Sequence, residues 1–162
     1  MTSGVDYGRV RTLYEEHGAV LLAYAISLLQ DRAASEDVLH QVFMKLLQGP
    51  VAINGQPLNY LCRAIRNTAF NYRRKHSREQ ALPARSRWLE SPPGLEAVGI
   101  ALEAALDELP DEQREIIVLR VWGQMTFDEA AVALGISPNT AASRYRYGLA
   151  RLKERLEPLA KE

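Results

Sequence analysis

The chain has 162 residues, 47% hydrophobic and 25% charged, with no net charge, which describes a globular protein of one domain or two small ones. The longest apolar run, Ala19–Leu29, is too short to span a bilayer, so no membrane insertion is expected. The single cysteine, Cys62, excludes an internal disulfide framework and fits a reducing cytosol.

Almost every segment carries the helical period and none alternates as a strand does, so the spacing predicts an all-α protein. Val10, Leu13, Tyr14, His17, Leu21, Tyr24, Ala25, Leu28 and Leu29 step by threes and fours along a long first helix. Asp31 offers a cap for a second, whose stripe of Val38, Leu39, Val42, Phe43, Leu46 and Leu47 stops at Gly49-Pro50. After the Asn54-Gly55 turn signal, Pro57 can open a third helix, with Leu58, Leu61, Cys62, Ile65, Ala69 and Tyr72 on its buried face. Residues 80–99 change character, with Pro83, Ser86, Ser91, Pro92, Pro93, Gly94 and Gly99 marking a flexible linker around a short helical piece near Trp88. Ile100–Leu109 resumes as helix, Pro110 breaks it, and Asp111–Trp122 runs to Gly123. Two small helical domains are expected, residues 6–79 and 100–160, joined by the 80–99 linker.

The most informative stretch follows. Thr126 with Glu129 three residues later is a capping box that should start a helix, and Ala130, Ala131 and Leu134 give that helix a small apolar face. Gly135 suits a left-handed helix end, Ile136 should plug the core, Ser137 is a good N-cap, and Pro138 fits the first helical position. The next helix carries Asn139, Thr140, Ser143, Arg144, Arg146 and Tyr147, side chains able to reach phosphates and base edges in a major groove. The pattern predicts a DNA-reading helix-turn-helix. Zero net charge also hides a strong polarity. Arg63 to Arg87 is basic, Glu90 to Glu115 acidic, and Arg144 to Arg155 basic again. Local patches of this kind, not the average, attract phosphate within a Debye length of about 8 Å.

These residues carry a resemblance over nearly the whole chain. It resembles an extracytoplasmic-function (ECF) sigma factor of bacterial RNA polymerase, with the second and fourth sigma regions alone. Leu13-Tyr14-Glu15-Glu16, the run Ser35–Leu46 and Tyr60–Asn67 resemble the polymerase-binding and promoter-melting domain, and Leu109–Glu115 with the helix-turn-helix resemble the domain that reads the −35 element. Departures are local. His40-Gln41 stands where the family usually has Gln-Glu, Tyr60 replaces the commoner tryptophan, and Ala142 occupies a recognition-helix position that is often basic. The loop Gly49–Gln56, whose counterpart helps select a flipped −10 base, is short, so promoter choice does not transfer. No C-terminal sensory extension is expected.

The resemblance implies that the helix from Ala34 to Leu47 docks on the clamp helices of the polymerase's largest subunit. Glu36, Asp37 and Gln41 would make the polar contacts, with Phe43 and Leu46 beside them, and the fourth-region domain would meet the flap. Helical spacing equally lets Phe43 and Leu46 fill the core, and both readings stand at this point. The third helix would take the −10 element through Tyr60, Arg63, Arg66, Asn67, Arg73 and Arg74, aromatic and arginine surfaces that suit unstacked bases and a single-stranded backbone. The −35 readers would be Asn139, Thr140, Ala142, Ser143, Arg144, Arg146 and Tyr147. Core RNA polymerase and promoter DNA are the implied partners, and control by an anti-sigma factor stays open.

No residue set resembles a nucleophile with its base, paired catalytic carboxylates or a phosphate-cradling glycine loop, so the chain is not expected to be an enzyme. His17, His40 and His76 lack ligand spacing, and no metal or other cofactor is expected. Nothing at the N-terminus reads as a signal peptide, and a cytoplasmic location is expected. Two rivals remain in view. A free-standing helix-turn-helix regulator explains Thr126–Tyr147 but leaves the first domain idle and needs a dimer to read two half-sites. A helical adaptor that does not touch DNA is the second, and DNA binding by the isolated fragment Ile100–Glu162 would count against it.

Overall fold

The computed structural model describes residues 6–49, 53, 56–76 and 93–160, and among these the chain forms seven helices and no strand. The chain divides into two compact units, Met1–Ala84 and Arg85–Glu162.

The first unit is a bundle of α1 (Tyr7–Leu29), α2 (Arg32–Gln48) and α3 (Pro57–His76), each packed on the other two. Local chemistry sets the boundaries. The Asp6 carboxylate accepts from Arg9 N at 3.0 Å and starts α1; the Asp31 carboxylate accepts from Ala34 N at 3.1 Å and starts α2. Between them Gln30 takes a left-handed φ of 55° and its N–H closes on the Ile26 carbonyl, an end usually given to glycine. Leu13, Leu21, Tyr24, Val38, Leu39, Leu61, Cys62 and Ile65 fill the core, and Cys62 is a fully enclosed apolar residue there. Tyr14, expected on the buried stripe, is instead half exposed, with its ring edge-on to Phe43 at 5.2 Å.

In the second unit α7 (Pro138–Ala160) packs against α4 (Glu96–Asp107), α5 (Asp111–Val121) and α6 (Phe127–Leu134). Close approach of α5 and α7 depends on Gly148, where an added Cβ would stand 2.7 Å from Ile117 Cδ1. Helix α4 begins at Glu96, four residues before the start the sequence suggests, and Gly99 is buried inside it rather than ending the linker. The Gly99 N–H donates to the Leu95 carbonyl at 2.9 Å, so the glycine continues an ordinary helical ladder. The rest of the expected linker through Pro92, including the helical piece near Trp88, lies outside the described residues, as does most of the Gly49–Gln56 loop.

The turn from α4 to α5 is held by a buried arginine. The Arg114 guanidinium donates to the carbonyls of Leu109, Asp107 and Leu106 at 3.1, 3.3 and 3.5 Å and to the Asp111 carboxylate at 2.6 Å. The Leu106 and Asp107 carbonyls close the C-terminal end of α4, where a cation is favoured, and Leu109 lies just past it. At the far end of α5, Arg120 donates to the Met125 carbonyl at 2.8 Å and lies 4.4 Å over the Phe127 ring and 5.4 Å from that of Tyr145. This cluster ties the end of α5, the loop, the start of α6 and the flank of α7 together.

Candidate nucleic-acid and polymerase interfaces

The helix-turn-helix is built by short-range bonds. Glu129 N donates to Thr126 Oγ1 and Thr126 N to Glu129 Oε1, both at 3.1 Å, which completes the capping box. Gly135 adopts φ 68° and Ile136 N closes on the Ala131 carbonyl at 3.0 Å, so α6 stops there. Ile136 itself is half-buried. Ser137 Oγ accepts from Thr140 N at 3.1 Å and α7 opens at Pro138. Inward, α7 presents Ala141, Gly148 and Leu152, all buried, with Tyr145 half-buried beside them. Asn139, Ala142, Ser143 and Arg146 recur at i, i+3, i+4 and i+7 and so share the outward face. Thr140 and the 60% exposed Tyr147 border that face, and the Arg146 guanidinium lies 5.7 Å from the Tyr147 ring. Arg144 is half-buried on the opposite flank, closer to the packed face than Arg146.

On α3 the buried line Leu61, Cys62, Ile65 and Ala69 turns Arg63, Asn67 and Arg74 fully outward. Tyr60 and Arg66 are half-buried at the margins, and Arg73 is exposed beside Arg66. All six residues expected to meet the −10 element therefore reach solvent. The sequence reading missed Phe70, which lies among them with Arg66 over its ring at 4.5 Å. At the helix end Tyr72 and His76 stack with centroids 4.0 Å apart.

On α2 the packing favours the core reading that helical spacing left open for two residues. Phe43 and Leu46 are 5% and 6% exposed and belong to the core, so they offer no surface to a partner. Met44, one residue from Phe43, is 53% exposed instead. Asp37, His40, Gln41 and Met44 form one outward strip along α2, with Glu36 half-buried at its edge and held by Arg32 at 3.2 Å. A polar strip with one exposed thioether is a surface fit for an interface whose rim is charged and whose centre is apolar.

Among the described residues no helix is long and apolar enough to cross a membrane. No cluster of three His, Cys, Asp or Glu side chains there is placed to hold a metal.

A three-helix bundle with a basic outer helix, in a chain that also carries a capped helix-turn-helix, is matched by known proteins. Residues 13–79 match the family Sigma-70 region 2 and residues 100–152 match Sigma-70, region 4. The ECF RNA polymerase sigma factor SigL of Mycobacterium tuberculosis is 30% identical over 161 residues, covering 93% of this chain and 90% of its own. The RNA polymerase sigma factor SigZ of Bacillus subtilis is 26% identical over 153 residues, covering 91% and 87%. In fold, the chain superposes with a TM-score of 0.72 on the sigma factor RpoE of Bartonella quintana, crystallised with the anti-sigma factor NepR; the two are 24% identical over 91% of this chain and 98% of that one. This chain belongs to the ECF family of RNA polymerase sigma factors. It is an alternative sigma factor, a protein that binds core RNA polymerase and promoter DNA and directs transcription initiation. A free-standing regulator or an adaptor would leave the region 2 match without a role.

Proposed function

We propose that the two units divide the promoter between them. In this reading the outward face of α7, Asn139, Thr140, Ala142, Ser143, Arg146 and Tyr147 with Arg144 on the flank, enters the major groove of the −35 element. Residues Tyr60, Arg63, Arg66, Asn67, Arg73 and Arg74 of α3 meet the melted −10 strand. Asp37 and Gln41, with Glu36, His40 and Met44 around them, dock α2 on the clamp helices of the polymerase, and the second unit meets the flap. Phe43 and Leu46 act only from within, by holding α2 in place. The observation that carries the reading is the capped turn at Gly135–Ser137, which aims an uncovered polar face away from the packed side of α7.

The chain performs no chemistry of its own; phosphodiester formation belongs to the polymerase. It acts in the cytoplasm, where core polymerase and promoter DNA are found. Since the similar RpoE was crystallised with an anti-sigma factor, a partner of that kind is proposed to hold this chain in check. One helix-turn-helix covers only about 600–1,000 Å² on DNA, too little to choose a promoter alone. Polymerase supplies selectivity by fixing both contacts at promoter spacing, which makes them multivalent.

Run-off transcription on genomic fragments tests this. Full chain with purified core polymerase should give discrete transcripts whose starts share −35 and −10 elements, and neither component alone should. Absence of promoter-dependent transcripts, with the chain binding duplex DNA as a dimer, would establish the free-standing regulator instead.

A further inference from the structure

Arg66 stands one turn before Phe70 on α3, and its guanidinium carbon lies 4.5 Å from the centroid of the phenyl ring. Both side chains are half-buried, so the pair lies at the surface and not within the core. Phe70 also sits at the middle of the polar face. Arg66 and Asn67 precede it by four and three residues, Arg73 and Arg74 follow by three and four, and all four are its neighbours on the helix. A merely solvated basic face has no use for a phenyl ring at its centre.

A guanidinium is planar and weakly hydrated, and one laid on a ring keeps its second face available for another flat group. Nucleobases are stacked by proteins on such arginine planes as well as on aromatic rings. A base within a duplex is already stacked on both sides, so only an unpaired one can use the platform. The four arginines around it, Arg63, Arg66, Arg73 and Arg74, supply the charge that draws a single-stranded backbone across the ring.

We propose that Phe70 holds the Arg66 guanidinium flat so that one unpaired base of the melted −10 strand stacks on it. Arg66 is the contact and Phe70 a positioning residue acting through it. This rests on the assignment of α3 to the −10 strand made above. Stacking of this kind is sequence-tolerant, so the pair stabilises the open strand without choosing its letters.

The test uses the full chain bound to core polymerase, titrated with the single-stranded non-template −10 oligonucleotide of a promoter recovered by run-off transcription. Phe70→Leu and Arg66→Lys should each weaken binding roughly tenfold, within the range of one base–aromatic stack, because lysine keeps the charge and loses the plane. Phe70→Tyr should bind as wild type. The double variant should be no weaker than either single one, since the two side chains act as one unit. In a scan of abasic substitutions, one position should weaken the wild type while leaving Phe70→Leu unaffected. Wild-type binding by Arg66→Lys, or the lack of any such position, would overturn the stacking and leave a phosphate contact in its place. Asn67→Ala and Arg63→Ala separate the two levels. If they weaken binding while Phe70→Leu and Arg66→Lys do not, the stacking alone is wrong. If none of the four matters, the −10 assignment of α3 falls as well.

Discussion

Replacing Arg114 with leucine should unfold the second unit from its α4–α5 turn. Arg114 is 4% exposed and Asp111, its ion-pair partner, 57% exposed, so Asp111 finds water once the arginine is gone and that pair contributes little. The Leu106 oxygen still accepts from Leu109 N at 3.1 Å, so the loss falls on the Leu109 and Asp107 carbonyls. The Leu109 oxygen lies in the buried part of this network and the Asp107 oxygen in the half-buried part. A buried carbonyl stripped of its donor costs about 1–3 kcal/mol, and the half-buried one less. Leucine also leaves the volume of the guanidinium unfilled. Together these give a loss of about 2–4 kcal/mol, comparable with the roughly 3–5 kcal/mol that the core of so small a unit supplies. Hydrogen exchange read by mass spectrometry should then show α5, α6 and α7 exchanging nearly as unfolded chain, while α1, α2 and α3 keep their wild-type rates. Loss of −35 binding should accompany it. A destabilisation below about 1 kcal/mol, with α5–α7 protection unchanged, would show that water replaces the guanidinium freely and that the turn does not depend on Arg114.

Other perturbations read the remaining parts. At Gly123 an added Cβ would stand 2.5 Å from the Leu119 carbonyl oxygen, backbone that cannot swing away; Gly123→Ala should cost about 1–3 kcal/mol in urea unfolding, as overpacked sites do. Phe43→Ala should lower the stability of the first unit by about 3–5 kcal/mol, whereas Met44→Ala should leave the thermal midpoint in place and weaken capture of core polymerase. Asp37→Arg should reduce core pull-down with an unchanged circular dichroism spectrum; lost helicity would mean that the residue serves the fold. Arg146→Ala should weaken preference for the −35 duplex by about 1–3 kcal/mol, while Arg144→Ala should weaken binding evenly across sequences and flatten its salt dependence. Equal binding by both variants and wild type would remove α7 from the groove.

Features set within a few residues were legible in the sequence. Asp31, Thr126 with Glu129, Gly135 and Ser137 end or start helices through bonds that span three or four positions, and Pro138 fits a first helical turn that needs no N–H from it, so residue type and spacing suffice. The helical period gave the all-α class for the same reason, and the charge runs marked α3 and α7 as the helices that carry exposed arginines. Burial at the margin of a stripe was only partly legible. Phe43 and Leu46 lie on the stripe that spacing drew along α2 and are buried, with Met44 outside it, but Tyr14 on the stripe of α1 is 46% exposed. Which edge of a stripe meets solvent depends on where the neighbouring helices lie. Gly99 reads as punctuation until its N–H is seen to continue the ladder of α4. Arg114 looked like one more charged residue among acids, and Phe70 like one more apolar residue on a helix. The first became the buried lock of a turn because carbonyls up to eight positions away converge on it, and the second the seat of a guanidinium because α3 turns that side outward. Local bonds are written in the order of residues; which side chain meets solvent, and which meets another segment's carbonyls, is settled only when helices pack.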